Sequence, residues 1–145
     1  MGPPPTFIHR NLPGLLLQAR ESVMAHTRSS LREHGLSDQQ WRVLRVLGER
    51  GTAETGRVAR EAFILGPSLT GVLARMERDG LVRRERDPQD QRRSVVQATP
   101  KGLKLVEKLS ITIEEHYGWM EKSLGKQKLA ELYVLLDEVI ELERT

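Results

Sequence analysis

Arginine supplies the first usable chemistry in this chain. Arg83, Arg84, Arg86, Arg92 and Arg93 crowd one short stretch. A guanidinium is a planar fork of donors that pairs with a phosphate or with the edge of a guanine. Held in a narrow minor groove, it also gains from the enhanced negative potential there. Asp87 and Asp90 interrupt the basic run. They suit a role in orienting Arg92 through a charge-assisted hydrogen bond. The alternative is a surface salt-bridge cluster that contributes little. Upstream, Ser68, Thr70, Gly71, Arg75 and Arg78 fall on one side of a single helical turn pattern. Hydroxyls and a guanidinium on such a face reach base edges or phosphates. An ordinary solvated helix is the competing reading.

Punctuation in the sequence says which elements hold these groups. Pro67 sits in a first helical turn, and the helix that follows, Ser68 to Asp79, buries Leu69, Val72, Leu73 and Met76 before Gly80 closes it. Leu81–Glu85 and Ser94–Ala98 have strand character, and Asp87-Pro88 with the polar run to Arg93 supplies the turn between them. Thr99-Pro100 reads as an N-cap and N1 proline opening another helix, with Leu103, Val106, Leu109 (or Ser110), Ile113 and Tyr117 towards Met120 as its apolar face. Gly125 separates it from a last helix carrying Leu129, Leu132, Leu136, Val139 and Ile140. Before the basic region, Leu12 to about Glu33 is a long first helix with Leu16, Ala19, Val23 and His26 at helical spacing, stopped by Gly35. Ser37 and Gln40 form a capping box for a second helix, buried through Trp41, Leu44 and Leu47 (or Val43 and Val46), with Gly48 and Gly51 bracketing the turn after it. A short third helix, about Glu54 to Ala62, buries Val58 and Ala62.

The order helix, helix, helix, helix, hairpin, helix, helix gives a mainly α fold with a small β-wing, a winged helix-turn-helix. The expected division is a flexible leader at 1–10, a DNA-binding lobe at 36–99, and dimerisation helices at 11–35 and 100–145. Amphipathic helices at both ends of the chain are most simply buried in an intertwined helical homodimer; a self-contained monomeric bundle is the alternative. Two-fold symmetry would set two reading helices about one DNA turn apart, roughly 34 Å.

Composition agrees with this scheme. The hydrophobic content of 38% is low for a 145-residue monomer, which leaves apolar surface for a second copy. The net charge is only +3, but residues 55–104 carry 11 Lys/Arg against 6 Asp/Glu and residues 105–145 carry 5 against 9. The middle of the chain therefore holds the basic footprint of a phosphate-binding surface. There is no cysteine, so neither disulfide nor thiolate chemistry is available. No apolar run spans a bilayer and no signal-peptide pattern occurs, which points to a cytoplasmic protein with no membrane partner. Nucleotide-binding, hydrolase and zinc-protease motifs are missing, and His9, His26, His34 and His116 lack ligand spacing. The sequence thus offers neither catalytic nor metal residues, no cofactor, and no case for an enzyme.

The run Asp87-x-x-Asp90-x-Arg92, followed by Val95 or Val96, Thr99 and Gly102, resembles the wing signature of the MarR family of regulators. Ser68-Leu69-Thr70 through Met76-Glu77-Arg78-Asp79-Gly80-Leu81-Val82 is similar to its recognition helix and exit. The likeness covers nearly the whole chain. Leu16 to Glu21, Gln39 to Arg42 and Pro67 to Gly71 look closest to the subgroup represented by the homoprotocatechuate-operon repressor. Three positions depart from the pattern: Gln89 and Gly71 stand where many members have arginine, and Ala98 where leucine is common. Gln89 removes a wing charge, and Gly71 implies a different base preference.

The resemblance implies a ligand-responsive regulator, in all expectation a repressor, of an aromatic-acid catabolic operon. It would bind double-stranded DNA at a pseudo-palindromic operator through Ser68, Thr70, Gly71, Arg75, Arg86, Arg92 and Arg93. A small aromatic carboxylate would release it, held between the lobe and the dimerisation helices. Arg20 as a carboxylate clamp, His26 for a ring hydroxyl, and Gln40 and Trp41 as a polar contact and a ring wall are the expected ligand residues. Arg20 equally suits an ion pair with an acidic neighbour, His26 an interface histidine and Trp41 the core. The competing function is a winged-helix protein-interaction or ligand-binding module without sequence-specific DNA binding.

Overall fold

A computed structural model describes residues 2–90 and 93–142. Six helices and three strands follow in the order α1 (Leu12–Glu33), α2 (Asp38–Arg50), β1 (Thr52–Glu54), α3 (Thr55–Glu61), α4 (Gly66–Arg78), β2 (Val82–Arg86), β3 (Ser94–Ala98), α5 (Pro100–Leu124) and α6 (Lys126–Ile140). The helix starts obey the capping chemistry. The Ser37 hydroxyl accepts from the Gln40 N–H while the Gln40 side chain accepts from the Ser37 N–H, so the capping box is closed. Thr99 accepts from the Gly102 N–H, with Pro100 at the first position of α5.

The core lies in the lobe. Trp41, Val43, Leu44 and Leu47 of α2 meet Val58 of α3, Leu69, Val72, Leu73 and Met76 of α4, Leu81, Val82 and Val96 of the hairpin, and Leu109 and Ile113 of α5. Trp41, Leu44 and Leu47 of one alternative face are thus buried together with Val43 of the other, while Val46 is half-buried. The sheet has the order β1-β3-β2, all antiparallel, with Ala53 opposite Val96 and Arg84 opposite Val96 from the other side. This third strand was not expected: three residues, Thr52 to Glu54, carry too little pattern to read. Gly48 is also not part of a turn but lies inside α2, where a Cβ would come within 3.2 Å of Val106 on α5.

The long helices differ from expectation within one chain. On α1 the buried residues are Thr27, Ser30 and Leu31, while Leu16, Ala19 and His26 are exposed. Leu103 of α5 and Leu132, Val139 and Ile140 of α6 are exposed as well. Their helical spacing is real, but no other part of the described chain covers them. Among the described residues no helix is long and apolar enough to cross a membrane.

Candidate nucleic-acid interface and effector cavity

Leu69, Val72, Leu73 and Met76 anchor α4 to the core, and that anchoring turns Ser68, Thr70, Gly71, Ala74, Arg75 and Arg78 outward. A Cβ at Gly71 would meet nothing within 4 Å, so this glycine answers no packing demand inside the chain. It leaves a smooth patch on the outward face of α4. Asp79 and Gly80 (φ +74°) end the helix, and Leu81 N–H returns to the Met76 carbonyl at 2.9 Å.

The hairpin stands beside this face. Arg86 pairs in register with Ser94, and Arg83 and Arg86 are exposed on the outer strand β2. Arg84 instead turns to Glu77 of α4 at 3.2 Å. At the tip, the Asp87 carboxylate accepts from the Gln89 N–H at 2.9 Å, and the Arg93 N–H reaches the Asp90 carbonyl at 3.0 Å. Asp87 thus shapes the turn itself. Arg92, the expected minor-groove residue, lies outside the described residues. Arg93 forms an ion pair with Glu54 of β1, so its guanidinium is tethered to the sheet edge.

Of the four expected ligand residues, Arg20 and Gln40 hold partners within the chain and His26 stacks on another ring. Arg20 donates twice to the Asp38 carboxylate, at 3.1 and 3.3 Å, and Arg42 approaches the same carboxylate at 3.6 Å. Gln40 closes the capping box. His26 stacks on His116 of α5, ring centroids 4.7 Å apart, and His116 stacks in turn on Trp119 at 5.6 Å. Trp41 lines a cavity. That cavity, about 230 Å³, lies between α2 and α5 and is walled by Trp41, Arg45, Val106, Ile113 and Tyr117. It is smaller than the pockets of drug-sized ligands, ~300–1,000 Å³, and suits a single-ring molecule.

Arg45 is the cation of this lining, which also holds the carboxylates of Glu49 and Glu114. Burial opposes the charged form, but Tyr117 and Glu49 beside it outweigh that and hold its guanidinium above the usual arginine value. Its contact to Glu49 is loose, 3.6 Å. The site therefore combines a cation, a phenol and an indole wall, groups that can meet an aromatic carboxylate, with two carboxylates in the same lining. Sequence reasoning missed Arg45 and Tyr117. The available signal was the i,i+4 step from Trp41 to Arg45, which places both on one face of α2.

Comparison with known proteins gives a consistent picture. A family model described as the MarR family matches residues 34–93. The homoprotocatechuate degradative operon repressor of Escherichia coli is 42% identical over 135 residues, 93% of this chain and 91% of its own. Among solved structures, the transcriptional regulator PA4135 superposes with a TM-score of 0.87 at 46% identity, covering 94% of this chain and all of that one. NadR in complex with 4-hydroxyphenylacetate superposes at 0.83 with 40% identity, covering 97% and 99%.

Proposed function

The chain belongs to the MarR family of transcriptional regulators, and from that premise we propose that it is a dimeric repressor of an aromatic-acid catabolic operon. It binds a pseudo-palindromic operator in double-stranded DNA and leaves it when a small aromatic carboxylate binds. The observation that carries this reading is the cavity of Trp41, Arg45 and Tyr117, built between the lobe helix α2 and the long helix α5. NadR, similar along nearly its whole length, was solved with 4-hydroxyphenylacetate, a single-ring carboxylate of suitable size.

In this proposal Ser68, Thr70, Gly71 and Arg75 face the major groove, while Arg86, Arg92 and Arg93 follow the neighbouring groove and its phosphates. Arg45 holds the effector carboxylate and Trp41 the ring. Arg20 acts through Asp38, fixing α1 against the start of α2. An effector lodged between α2 and α5 sets the angle between lobe and dimer core. Two lobes then no longer match one helical turn, and the operator is released. Only a higher affinity for the released state can drive this.

The test is an operator-binding titration with and without 4-hydroxyphenylacetate. The acid should weaken binding of the wild type at least tenfold, and Arg45→Ala should bind the operator normally yet ignore the acid. A response that survives Arg45→Ala but is lost in Arg20→Ala would return the clamp to Arg20. Absence of any sequence-selective DNA binding would favour an interaction module instead.

A further inference from the structure

A second and larger cavity, about 700 Å³, opens on a different side of α5 from the Trp41 cavity. Three chain junctions meet there: His34, Gly35 and Leu36 between α1 and α2, Asp79 and Leu81 between α4 and β2, and Pro100, Lys101, Lys104, Leu105 and Lys108 at the start of α5. Leu36 and Leu81 are buried core residues and Leu105 is half-buried against them, so the floor is apolar and fixed. The junction beneath is tight. Thr99 Oγ1 donates to the Gly80 carbonyl at 2.6 Å, and the Thr99 N–H reaches the Leu81 carbonyl at 3.0 Å. Lys101 crosses the junction to donate to the Asp79 carbonyl at 2.8 Å.

The charge on this rim is lopsided. Lys101, Lys104 and Lys108 recur at i, i+3 and i+7 along one face of α5, and none of them takes an ion pair among the described residues. Asp79 is the one acidic residue in the lining. Unpaired ammonium groups above an apolar floor match an anion with an apolar body. A bare inorganic anion would gain nothing from Leu36, Leu81 and Leu105. An uncharged hydrocarbon would gain nothing from the lysines.

We propose that this junction cavity is a second effector site, for an amphipathic organic anion with an extended apolar body. Its body packs on Leu36, Leu81 and Leu105, and its head group pairs with Lys104 and Lys108. Because the walls come from both the lobe and α5, occupancy biases the same lobe angle that the Trp41 cavity controls. The two sites share no lining residue, so the second stands without the first.

The experiment is calorimetry and thermal melting of the full chain with octanoate, octanol and acetate as probes. Octanoate should bind saturably and raise the melting temperature, while acetate and octanol at equal concentration do neither. Lys104→Glu/Lys108→Glu, two surface changes that leave the floor intact, should weaken octanoate binding at least tenfold. Arg45→Ala should leave it unchanged. Octanoate binding that ignores the double substitution overturns the proposal, as does an equal response to acetate, or no binding at all. Loss of binding in Arg45→Ala would assign the octanoate signal to the Trp41 cavity and also overturn it.

Discussion

Glu54 and Arg93 show how one ion pair can restrain a binding surface. Their side chains are about half exposed, so the pair adds little to stability; exposed pairs contribute ~0–1 kcal/mol. What it does fix is direction, since Arg93 is aimed at β1 rather than outward. For Arg93 to meet a phosphate, Glu54 must give it up, and its carboxylate must also tolerate the approaching negative charge. Glu54→Gln removes both costs. We expect it to strengthen operator binding several-fold and to steepen the dependence of log K on log[salt] by about 0.9, the slope for one extra phosphate contact. Weaker binding in a salt series would mean that the pair positions the wing and that Arg93 is not a phosphate contact. The same distinction between residue type and residue direction governs the effector cavity. Arg20 and Arg45 are alike in sequence, each on an amphipathic helix. Only the fold brings Asp38 to the first and sets Tyr117, far along the chain, beside the second. Sequence spacing brings Glu49 to Arg45 but says nothing of a residue on another helix.

At the scale of elements, helix starts were legible because capping is local: Ser37 with Gln40, and Thr99 with Gly102, are hydrogen-bonding partners within a turn. Strand β3 was legible from its own five residues, whereas β1 exists only because residues 95–97 pair with it. Gly48 looked like a turn residue because glycine breaks helices on average. Here its missing side chain instead lets Val106 of α5 pack close to α2. Gly102 makes the same point more sharply. A Cβ there would lie 2.3 Å from the Leu81 carbonyl oxygen and 3.3 Å from Leu44 Cδ2. The oxygen belongs to the backbone and cannot swing aside, so α5 itself must move off the lobe. Gly102→Ala therefore overrides the usual helix preference of alanine over glycine, up to ~1 kcal/mol. The expected net loss is ~1–3 kcal/mol, in the range of overpacked cores. Urea unfolding of the full chain measures it; equal or greater stability would show that the α5 junction is looser than its geometry implies.

The whole molecule leaves its long helices half-clothed. Leu12, Leu16 and Leu17 on α1, Ile111 and Trp119 on α5, and a run from Leu132 to Leu135 on α6 are all exposed in the single chain. Isolated exposed apolar residues are ordinary, but a cluster of this size on three adjacent helices marks an interface. We propose that the occupant is a second copy, with the terminal helices of the chain supplying the surface. The sequence pattern alone showed these helices to be amphipathic; it could not show that their apolar faces point away from their own lobe. Leu132 and Leu135, 41% and 57% exposed, give a clean test. Replacing both by Glu puts charge on surface that a lone chain already shows to water, so the monomer fold should be retained. In a dimer the same carboxylates would be desolvated at a two-fold interface, twice over, and repelled by one another. Sedimentation should then report a folded monomer. A monomer presents one reading helix and engages half an operator, losing the effective concentration that links the two halves. Operator affinity should fall by roughly 10²–10⁴-fold, while binding to the Trp41 cavity, walled by residues of one chain, should persist. A doubly substituted protein that still sediments as a dimer would place the interface elsewhere on these helices.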